Sequence, residues 1–342
     1  MTDHVRAVLV GCGGMSRRWT EVSKAHPQLE VVGFVDMNEA AAHSRAEEYG
    51  ADDAIIGTDL ERILDEAQAD VVFDCTVPEA HTQVTVTALE RGYHVLGEKP
   101  LADSMENARR SVAAAEAAGK IYAVIQNRRY DANIRRLTRA LRSGAIGDLT
   151  TLNSDFYIGA HFGGFRDHMP HVLLLDMAIH TFDAARLLLD ADPLAVYCRE
   201  WNPAGSWYDH DAAAVAVFEM SNGVVYTYRG SWCAEGLNTT WEADWRVIGQ
   251  QGSICWDGAE GLRAETVAAG GQFRSQMQEL ILDPAHAEDR VGAHEGIIHE
   301  FVDCVQHGGT PETVCTDNIK SLAMVFGAIE SAESGRRVEI EV

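Results

Sequence analysis

The chain has 342 residues, which exceeds one ordinary domain and favours two. Its composition, with 46% hydrophobic and 8% aromatic residues, is that of a globular protein and excludes a largely disordered chain. Lysine and arginine number 28 against 52 aspartate and glutamate residues, and the formal net charge of -24 argues against nucleic acid or an anionic membrane surface as a partner.

The first 125 residues alternate short β-branched segments with longer amphipathic segments, a pattern typical of βαβ units. Strands are predicted at residues 5–10, 30–36, 54–56, 71–76, 93–96 and 121–126. Helices are predicted at residues 15–26, 38–49, 60–68, 79–91 and 104–118. The sequence therefore predicts an α/β fold that begins with a Rossmann domain, a doubly wound parallel sheet, over residues 1–125.

From about Tyr130 the pattern changes to a helix, a strand beginning near Asp148, a loop, and a helix over residues 171–189. Strands then dominate, at residues 196–201, 212–220, 224–231, 241–248 and 253–256, with turns such as Ser221-Asn222-Gly223. Two late helices near residues 295–306 and 318–334 precede a final strand over 337–342. We predict that residues 126–342 form an α+β domain with a large, open, mostly antiparallel sheet, which binds the substrate and forms the oligomer.

A glycine-rich turn, Gly11-Cys12-Gly13-Gly14-Met15-Ser16, directly follows the first predicted strand and opens the first helix. Glycines at this point of a βαβ unit allow a tight turn and let a pyrophosphate approach the backbone N–H groups. Ser16 stands where a third glycine or alanine is usual, but it is small enough for the helix to pack on the strand. The turn therefore predicts a dinucleotide site that uses Gly11, Gly13 and Gly14.

Asp36 ends the second predicted strand, about 20 residues beyond the turn, where a carboxylate accepts hydrogen bonds from the adenosine ribose. Its negative charge disfavours a 2′-phosphate, and Met37-Asn38 supplies no adjacent cation. We therefore expect NAD to be preferred over NADP. A role for Asp36 as a helix N-cap is compatible with this function.

Lys99 lies in Gly97-Glu98-Lys99-Pro100, after the fifth strand and at the carboxyl edge of the sheet, where ligands of open α/β folds bind. A lysine there can donate a hydrogen bond to a substrate oxygen and stabilise an alkoxide that develops as hydride leaves. The alternative is a solvated surface lysine. Pro100 fixes the chain just after Lys99 and favours the functional interpretation.

Asp176 and His180 have the i to i+4 spacing that places a carboxylate and an imidazole on one face of the predicted helix. The imidazole can accept a hydroxyl proton near neutral pH, while the carboxylate binds substrate or orients the ring. A helical salt bridge without catalytic role is the alternative, and the spacing alone does not decide between them.

Together these residues resemble the Gfo/Idh/MocA oxidoreductase family, which includes glucose-fructose oxidoreductase and inositol dehydrogenases. The resemblance covers nearly the whole chain and rests on the motifs Gly11 to Met15, Thr76-Val77-Pro78-Glu79-Ala80-His81, Glu98-Lys99-Pro100, Gly144-Ala145-Ile146-Gly147 and Asp176 to His180.

The resemblance implies that Lys99, Asp176 and His180 form the catalytic set and also contact the substrate. It further implies that Met15 belongs to the cofactor turn, that Thr76, Pro78 and His81 line the cofactor, and that Glu98 lies near the nicotinamide ribose. Asn127 is expected near the cofactor and Arg128 near the substrate. A dimer or tetramer built on the open sheet of the second domain is also implied by the resemblance alone.

One departure from the family concerns the segment before the Asp176 helix, which is often glycine-rich but here contains Asp167-His168-Met169-Pro170-His171-Val172. The loop over residues 157–171 also holds His161 and Arg166, which we interpret as candidate substrate-binding residues for a polyol. These histidines raise the alternative of a metal site. Because no spacing in the loop is typical of metal ligands, we predict no metal.

The leading hypothesis is an NAD-dependent dehydrogenase that moves a hydride between nicotinamide and a secondary hydroxyl of a sugar, sugar derivative or inositol. Two alternatives remain open. Some relatives are glycosidases that oxidise a substrate transiently while holding NAD, and others are sensors that bind dinucleotide without catalysis. A sensor has no need of a proton acceptor beside a cation, so the set Lys99, Asp176 and His180 argues against it.

The seven cysteines contain no CxxC pair, which suits reduced thiols. No secretory segment and no apolar run of roughly 18 residues is evident in the sequence. We therefore expect a cytoplasmic protein whose partners are a small molecule and further copies of itself.

Overall fold

The computed structural model describes residues 4–271, 273–286 and 289–342. The strands among them are β1 (Val5–Val10), β2 (Leu29–Val35), β3 (Ile55–Gly57), β4 (Val71–Asp74), β5 (His94–Gly97), β6 (Tyr122–Val124), β7 (Leu149–Tyr157), β8 (Pro193–Trp201), β9 (Ala213–Met220), β10 (Val225–Ser231), β11 (Asp244–Gly249), β12 (Gly252–Trp256), β13 (Arg263–Ala269), β14 (Gln276–Glu279) and β15 (Val338–Glu339).

The α-helices of the described residues are α1 (Ser16–Ala25), α2 (Glu39–Tyr49), α3 (Leu60–Ala67), α4 (Pro78–Glu90), α5 (Met105–Ala118), α6 (Ala132–Arg142), α7 (Ile179–Leu189), α8 (His294–His307) and α9 (Cys315–Ser334). Short 3₁₀ helices cover Asn127–Tyr130 and Gly164–His168, and a π-helical turn covers Leu173–Ala178.

The chain forms two compact units, one of Met1–Tyr130 with Arg290–Ile319 and one of Asp131–Asp289 with Lys320–Val342. These bounds differ from the predicted division after residue 125, because the late segment Arg290–Ile319 packs with the N-terminal residues. The physical reason is the apolar face of α8: Phe301 is buried and lies 6.4 Å from Phe73, ring centroid to ring centroid. The functional division at residue 125 stays a prediction.

A parallel sheet with strand order β3-β2-β1-β4-β5-β6 organises the first unit, so the predicted Rossmann fold is confirmed. The order reverses between β1 and β4, and ligands of such sheets bind at the carboxyl ends of the strands at this point. The backbone N–H of Cys75, just after β4, donates to the carbonyl of Val10 at the end of β1. The glycine turn and the end of β4 are thereby held side by side.

The second unit contains a sheet with strand order β14-β13-β12-β11-β7-β10-β9-β8-β15. Neighbouring strands run antiparallel except β7 and β10, which are parallel, so the predicted mostly antiparallel sheet is confirmed. On the face covered by α7, Phe182 packs against Phe218 and Tyr228 at ring distances of 4.8 and 5.2 Å. The opposite face exposes apolar side chains, including Tyr197 and Val217.

Two features of this unit differ from the predictions. The strands β13 and β14 are absent from the predicted set, because their side chains are largely exposed and do not alternate apolar with polar residues. The helix predicted over residues 171–189 begins one residue later, at Val172, because His171 has a left-handed φ of 51°, and the turn Leu173–Ala178 is π-helical. No helix in the described part of the chain is both long and apolar enough to span a membrane.

Candidate functional site

The glycine turn joins β1 to α1 in a conformation that only glycine adopts easily. Gly11 has φ of 87°, and its N–H donates to the carbonyl of Val35 at 2.8 Å. A Cβ on Gly11 would lie 2.6 Å from the carbonyl carbon and oxygen of Cys75 and 2.7 Å from the amide nitrogen of Thr76. Gly11 is therefore required for the packing of the turn on the end of β4.

Gly13 and Gly14 have the opposite environment. Apart from the glycine itself and its two chain neighbours, no atom of residues 4–271, 273–286 or 289–342 lies within 4 Å of a Cβ built on either one. Ser16 is buried at the start of α1, where its hydroxyl donates to the carbonyl of Gly13 at 2.7 Å. Open space therefore lies next to the backbone of the turn and the N-terminus of α1. A pyrophosphate of a dinucleotide fits such a place.

Asp36 lies immediately after β2 and is hydrogen-bonded to the same turn. Its carboxylate accepts from the backbone N–H of Cys12 at 2.7 Å and from the N–H of Asn38 at 2.8 Å. The N-cap position of α2 is occupied by Asn38 and not by Asp36. Because a carboxylate has about four acceptor positions, Asp36 retains capacity for ribose hydroxyls while its orientation is fixed.

Arg45 also contacts the glycine turn, and the sequence analysis missed it. This buried side chain donates from Nη2 to the carbonyl of Gly13 at 3.0 Å and forms an ion pair with Glu48. Glu48 also pairs with Arg17 at 3.1 Å, and this hydrogen bond, together with the Arg45 charge, lowers the pKa of Glu48. Arg45 therefore brings positive charge to the glycine turn of a strongly acidic chain. It lies in α2, and nothing in the sequence of that helix indicates this contact.

His81 and Asp74 form a buried pair at the carboxyl end of β4. Asp74 Oδ1 accepts from the Thr76 hydroxyl at 2.6 Å, and its Oδ2 lies 3.1 Å from His81 Nδ1. Burial alone lowers the pKa of His81, but the charge and hydrogen bond of Asp74 outweigh it and raise the pKa. Thr76 and Pro78 are half-buried, whereas His81 is 1% exposed. The His81 ring therefore stabilises the carboxyl end of β4 from a buried position.

Glu98 and Lys99 follow β5 at the same edge. Glu98 is buried, and its Oε1 accepts from the indole N–H of Trp19 at 2.7 Å. Its Oε2 accepts from the backbone N–H of Lys99 at 3.2 Å. Burial raises the pKa of Glu98, while the hydrogen bond from Trp19 opposes that rise. Trp19 is a second residue that the sequence analysis missed, because its partner is 79 positions away.

Asn127 and Arg128, predicted near the cofactor or substrate, lie in the 3₁₀ helix after β6 and are half-buried. The amide nitrogen of Asn127 lies 3.3 Å from Nδ1 of His294, at the start of α8. Burial, with the nearby charge of Arg18, lowers the pKa of His294 to about 4. The ring is therefore neutral near pH 7 and accepts a hydrogen bond from Asn127.

In the second unit, Asp176 lies in the π-helical turn Leu173–Ala178, and His180 lies in the first turn of α7. The helical spacing between them therefore includes part of a π-helical turn, which winds more widely than the regular α-helix of the prediction. The structure joins Asp176 to Arg166, whose Nε donates to Oδ2 at 2.8 Å and whose Nη2 donates to Oδ1 at 3.3 Å.

The histidines of the loop do not converge on one point. Each pairs with a different carboxylate: His161 with Glu235 at 2.9 Å, His168 with Asp209 at 2.5 Å, and His171 with Glu200 at 2.7 Å. His161 also stacks on Trp207, with 3.7 Å between ring centroids. Within the described residues, no three His, Cys, Asp or Glu side chains are grouped so that they could hold a metal ion.

Comparison with known proteins gives matches to both parts of the chain. Residues 5–126 match the model of the oxidoreductase family with an NAD-binding Rossmann fold, and residues 134–255 match the GFO/IDH/MocA C-terminal domain. The chain is 25% identical to 1,5-anhydro-D-fructose reductase of Ensifer adhaerens, over 97% of this chain and 98% of the relative. It is also 25% identical to inositol 2-dehydrogenase of an Arthrobacter species, over 100% and 98%.

Among solved structures, an oxidoreductase from Agrobacterium radiobacter, in complex with NAD+, L-tartaric acid and magnesium, has a TM-score of 0.86 at 22% identity. The alignment covers 98% of each chain, which supports the fold of both units. With both domain models matched in order along the chain, this protein belongs to the Gfo/Idh/MocA family of oxidoreductases, with an NAD-binding Rossmann domain.

Proposed function

We propose that this protein is an NAD-dependent dehydrogenase that oxidises a secondary hydroxyl of a sugar, sugar derivative or inositol, or reduces the corresponding ketone. The observation that carries the proposal is the placement of Lys99 directly beside the buried carboxylate of Glu98, at the carboxyl edge of the dinucleotide-binding sheet. Similarity to inositol 2-dehydrogenase and 1,5-anhydro-D-fructose reductase supports the substrate class.

Bound NAD would supply the hydride acceptor for this reaction. The residues proposed to hold it are Gly11, Gly13, Gly14 and Met15 at the pyrophosphate, Asp36 at the adenosine ribose, and Thr76, Pro78, His81, Glu98 and Asn127 along the rest of the molecule. The carboxylate of Asp36 supports a preference for NAD, since a 2′-phosphate beside it would meet a like charge. His81 acts within this set by holding the edge, because its ring is buried.

In the proposed oxidation, an imidazole nitrogen of His180 accepts the proton of the substrate hydroxyl. A hydride leaves the carbon that bears this hydroxyl, and the carbon–oxygen double bond forms. Nζ of Lys99 donates a hydrogen bond to the reacting oxygen and stabilises its developing negative charge. Asp176 orients the reacting groups. Arg128, His161 and Arg166 were predicted to bind substrate; Arg128 and His161 keep that proposed role, and His161 with Trp207 offers a stacked surface for a sugar ring.

Replacement of Lys99 by methionine tests the proposal. Lys99→Met keeps a similar length but removes the cation, so we expect turnover to fall by at least about 100-fold while the Kd for NAD changes little. The substrate is first identified by NADH absorbance with sugars, inositols and their keto forms, supplied with NAD or NADP. Retained turnover in Lys99→Met would contradict the role of Lys99, and aryl glycoside cleavage without net NADH would favour a glycosidase.

We also propose that copies of the chain associate as a dimer or tetramer through the outer face of the nine-stranded sheet. The exposed apolar side chains on that face, such as Tyr197 and Val217, support an interface. Sedimentation of the purified chain measures the oligomeric state.

A further inference from the structure

Arg166 is held on three sides within the second unit. Two of its nitrogens donate to the two oxygens of Asp176, at 2.8 and 3.3 Å. Its guanidinium carbon lies 5.0 Å from the ring centroid of Phe162 and 4.8 Å from that of Phe165. This combination of a two-pronged ion pair with two aromatic contacts defines both the position and the orientation of the guanidinium.

One of the two aromatic rings, Phe162, contacts the interior of the unit. Phe162 lies edge-on to Trp232 at 5.1 Å, and Trp232 is 1% exposed and packs against the buried Phe156. The ion pair itself is accessible only in part, since the side chain of Arg166 is 32% exposed and that of Asp176 is 14% exposed. Water therefore screens this pair less than it screens a surface ion pair.

The carboxylate of Asp176 is mostly shielded from water, since its side chain is only 14% exposed. It belongs to the π-helical turn Leu173–Ala178, in which Leu174 and Met177 are buried. A largely buried carboxylate needs a nearby cation to remain ionised and correctly oriented. Arg166 supplies a cation to this carboxylate, and it reaches Asp176 from the 3₁₀ helix Gly164–His168.

We propose that Arg166 is a positioning residue, which fixes Asp176 as an oriented carboxylate and so adapts this part of the second unit to an uncharged sugar or polyol. The proposal rests on the proposed function, which assigns Asp176 to the reacting centre. Arg166, which the sequence analysis named as a candidate substrate-binding residue for a polyol, thereby acts on the substrate through Asp176.

The preference for an uncharged ligand follows from charge neutralisation. With its charge matched by Asp176, Arg166 has little net attraction left for a second carboxylate, which would also be repelled by Asp176. A hydroxyl group carries no charge and so meets no such repulsion from Asp176. The proposal therefore predicts discrimination between a neutral sugar and its uronic acid.

The first test uses ligand-induced thermal stabilisation and needs no turnover. Sodium glucuronate is compared with sodium chloride at equal ionic strength for the wild type, Asp176→Asn and Asp176→Asn/Arg166→Met. We expect no glucuronate-specific shift in the wild type, a higher Tm in Asp176→Asn, where the arginine charge is unmatched, and no shift in the double variant. A shift in the wild type that Arg166→Met removes, or no shift in Asp176→Asn, would overturn the proposal.

The second test uses the substrate found by the NADH screen. Arg166→Met should lower kcat by about 10- to 100-fold through loss of orientation, with KM changed by less than about threefold, and Arg166→Lys should recover part of kcat. A raised KM with unchanged kcat would show a direct substrate contact and overturn the proposal.

Arg91→Met is the matched control, because the guanidinium of Arg91 also makes two ion pairs, with Asp65 and Glu61, and its side chain is 31% exposed against 32% for Arg166. It should retain the wild-type kcat. If the wild type turns over no substrate at all, the proposed function fails, and the thermal measurement still decides the role of Arg166.

Discussion

Two neighbouring glycines in one turn should respond to the same substitution in opposite ways. In Gly11→Ala, the new Cβ would lie 2.6 Å from two backbone atoms of Cys75, at a φ of 87°. The left-handed conformation costs about 1–2 kcal/mol and the overpacking a further 1–3 kcal/mol, so we expect a loss of about 2–5 kcal/mol in the free energy of unfolding. Urea unfolding of the protein without NAD measures this loss.

In Gly13→Ala, the Cβ projects into space that no described atom occupies within 4 Å, so stability should change by less than about 0.5 kcal/mol. The same Cβ lies where a pyrophosphate would approach, and we expect binding of NAD to weaken by about 1–3 kcal/mol, roughly 5- to 150-fold in Kd. Isothermal titration calorimetry with NAD measures the second effect. Gly13→Ala protein that binds NAD as tightly as the wild type would refute the placement of the pyrophosphate, and a fully stable Gly11→Ala would refute the packing argument.

Two further predictions concern buried polar groups. Trp19→Phe removes the indole N–H that donates to Glu98. We expect it to lower the free energy of unfolding by about 1–3 kcal/mol more than Trp232→Phe, a control of equal volume whose indole N–H has no hydrogen-bond partner among the described residues. Equal losses of the two variants in urea unfolding would contradict this. Burial, with the nearby His299, lowers the pKa of His26 to about 4. The imidazole of His26 takes up a proton near pH 6.5 in the unfolded chain but only near pH 4 in the folded one, so the free energy of unfolding should fall between pH 6.5 and 4 by up to about 1.4 kcal/mol per pH unit. His26→Asn should make this dependence on pH shallower. If the free energies of unfolding of variant and wild type change with pH in parallel, His26 is not the cause.

The Rossmann part of the fold was predictable because its signals are local. Each predicted strand and helix of the first 125 residues lies within one or two residues of the observed element at most ends, since β-branched strands alternate with amphipathic helices. Membership of α8 in the first unit was not predictable. It depends on contacts such as that between Phe301 and Phe73, which are more than 200 positions apart in the sequence.

The residues of the candidate site also divide into those that the sequence predicts and those that it does not. Gly11, Gly13 and Asp36 follow from chain order, because the turn and the end of β2 are fixed relative to each other by the βαβ unit. Arg45 and Trp19 could not be found, because each acts on a group contributed by another element. The π-helical turn at Asp176 was hidden as well, since the apolar segment that contains it has the composition of an ordinary buried helix.

Charged side chains in both units are balanced by local partners. Asp74 faces His81 in the first unit, and Asp176 faces Arg166 in the second. Each carboxylate is held by a cation or by N–H donors within hydrogen-bonding distance, so a net charge of -24 does not determine the potential that a ligand meets. A dinucleotide carrying two phosphate charges can therefore bind to a strongly acidic chain, because the turn offers it the N-terminus of α1, backbone N–H groups and the neighbouring Arg45.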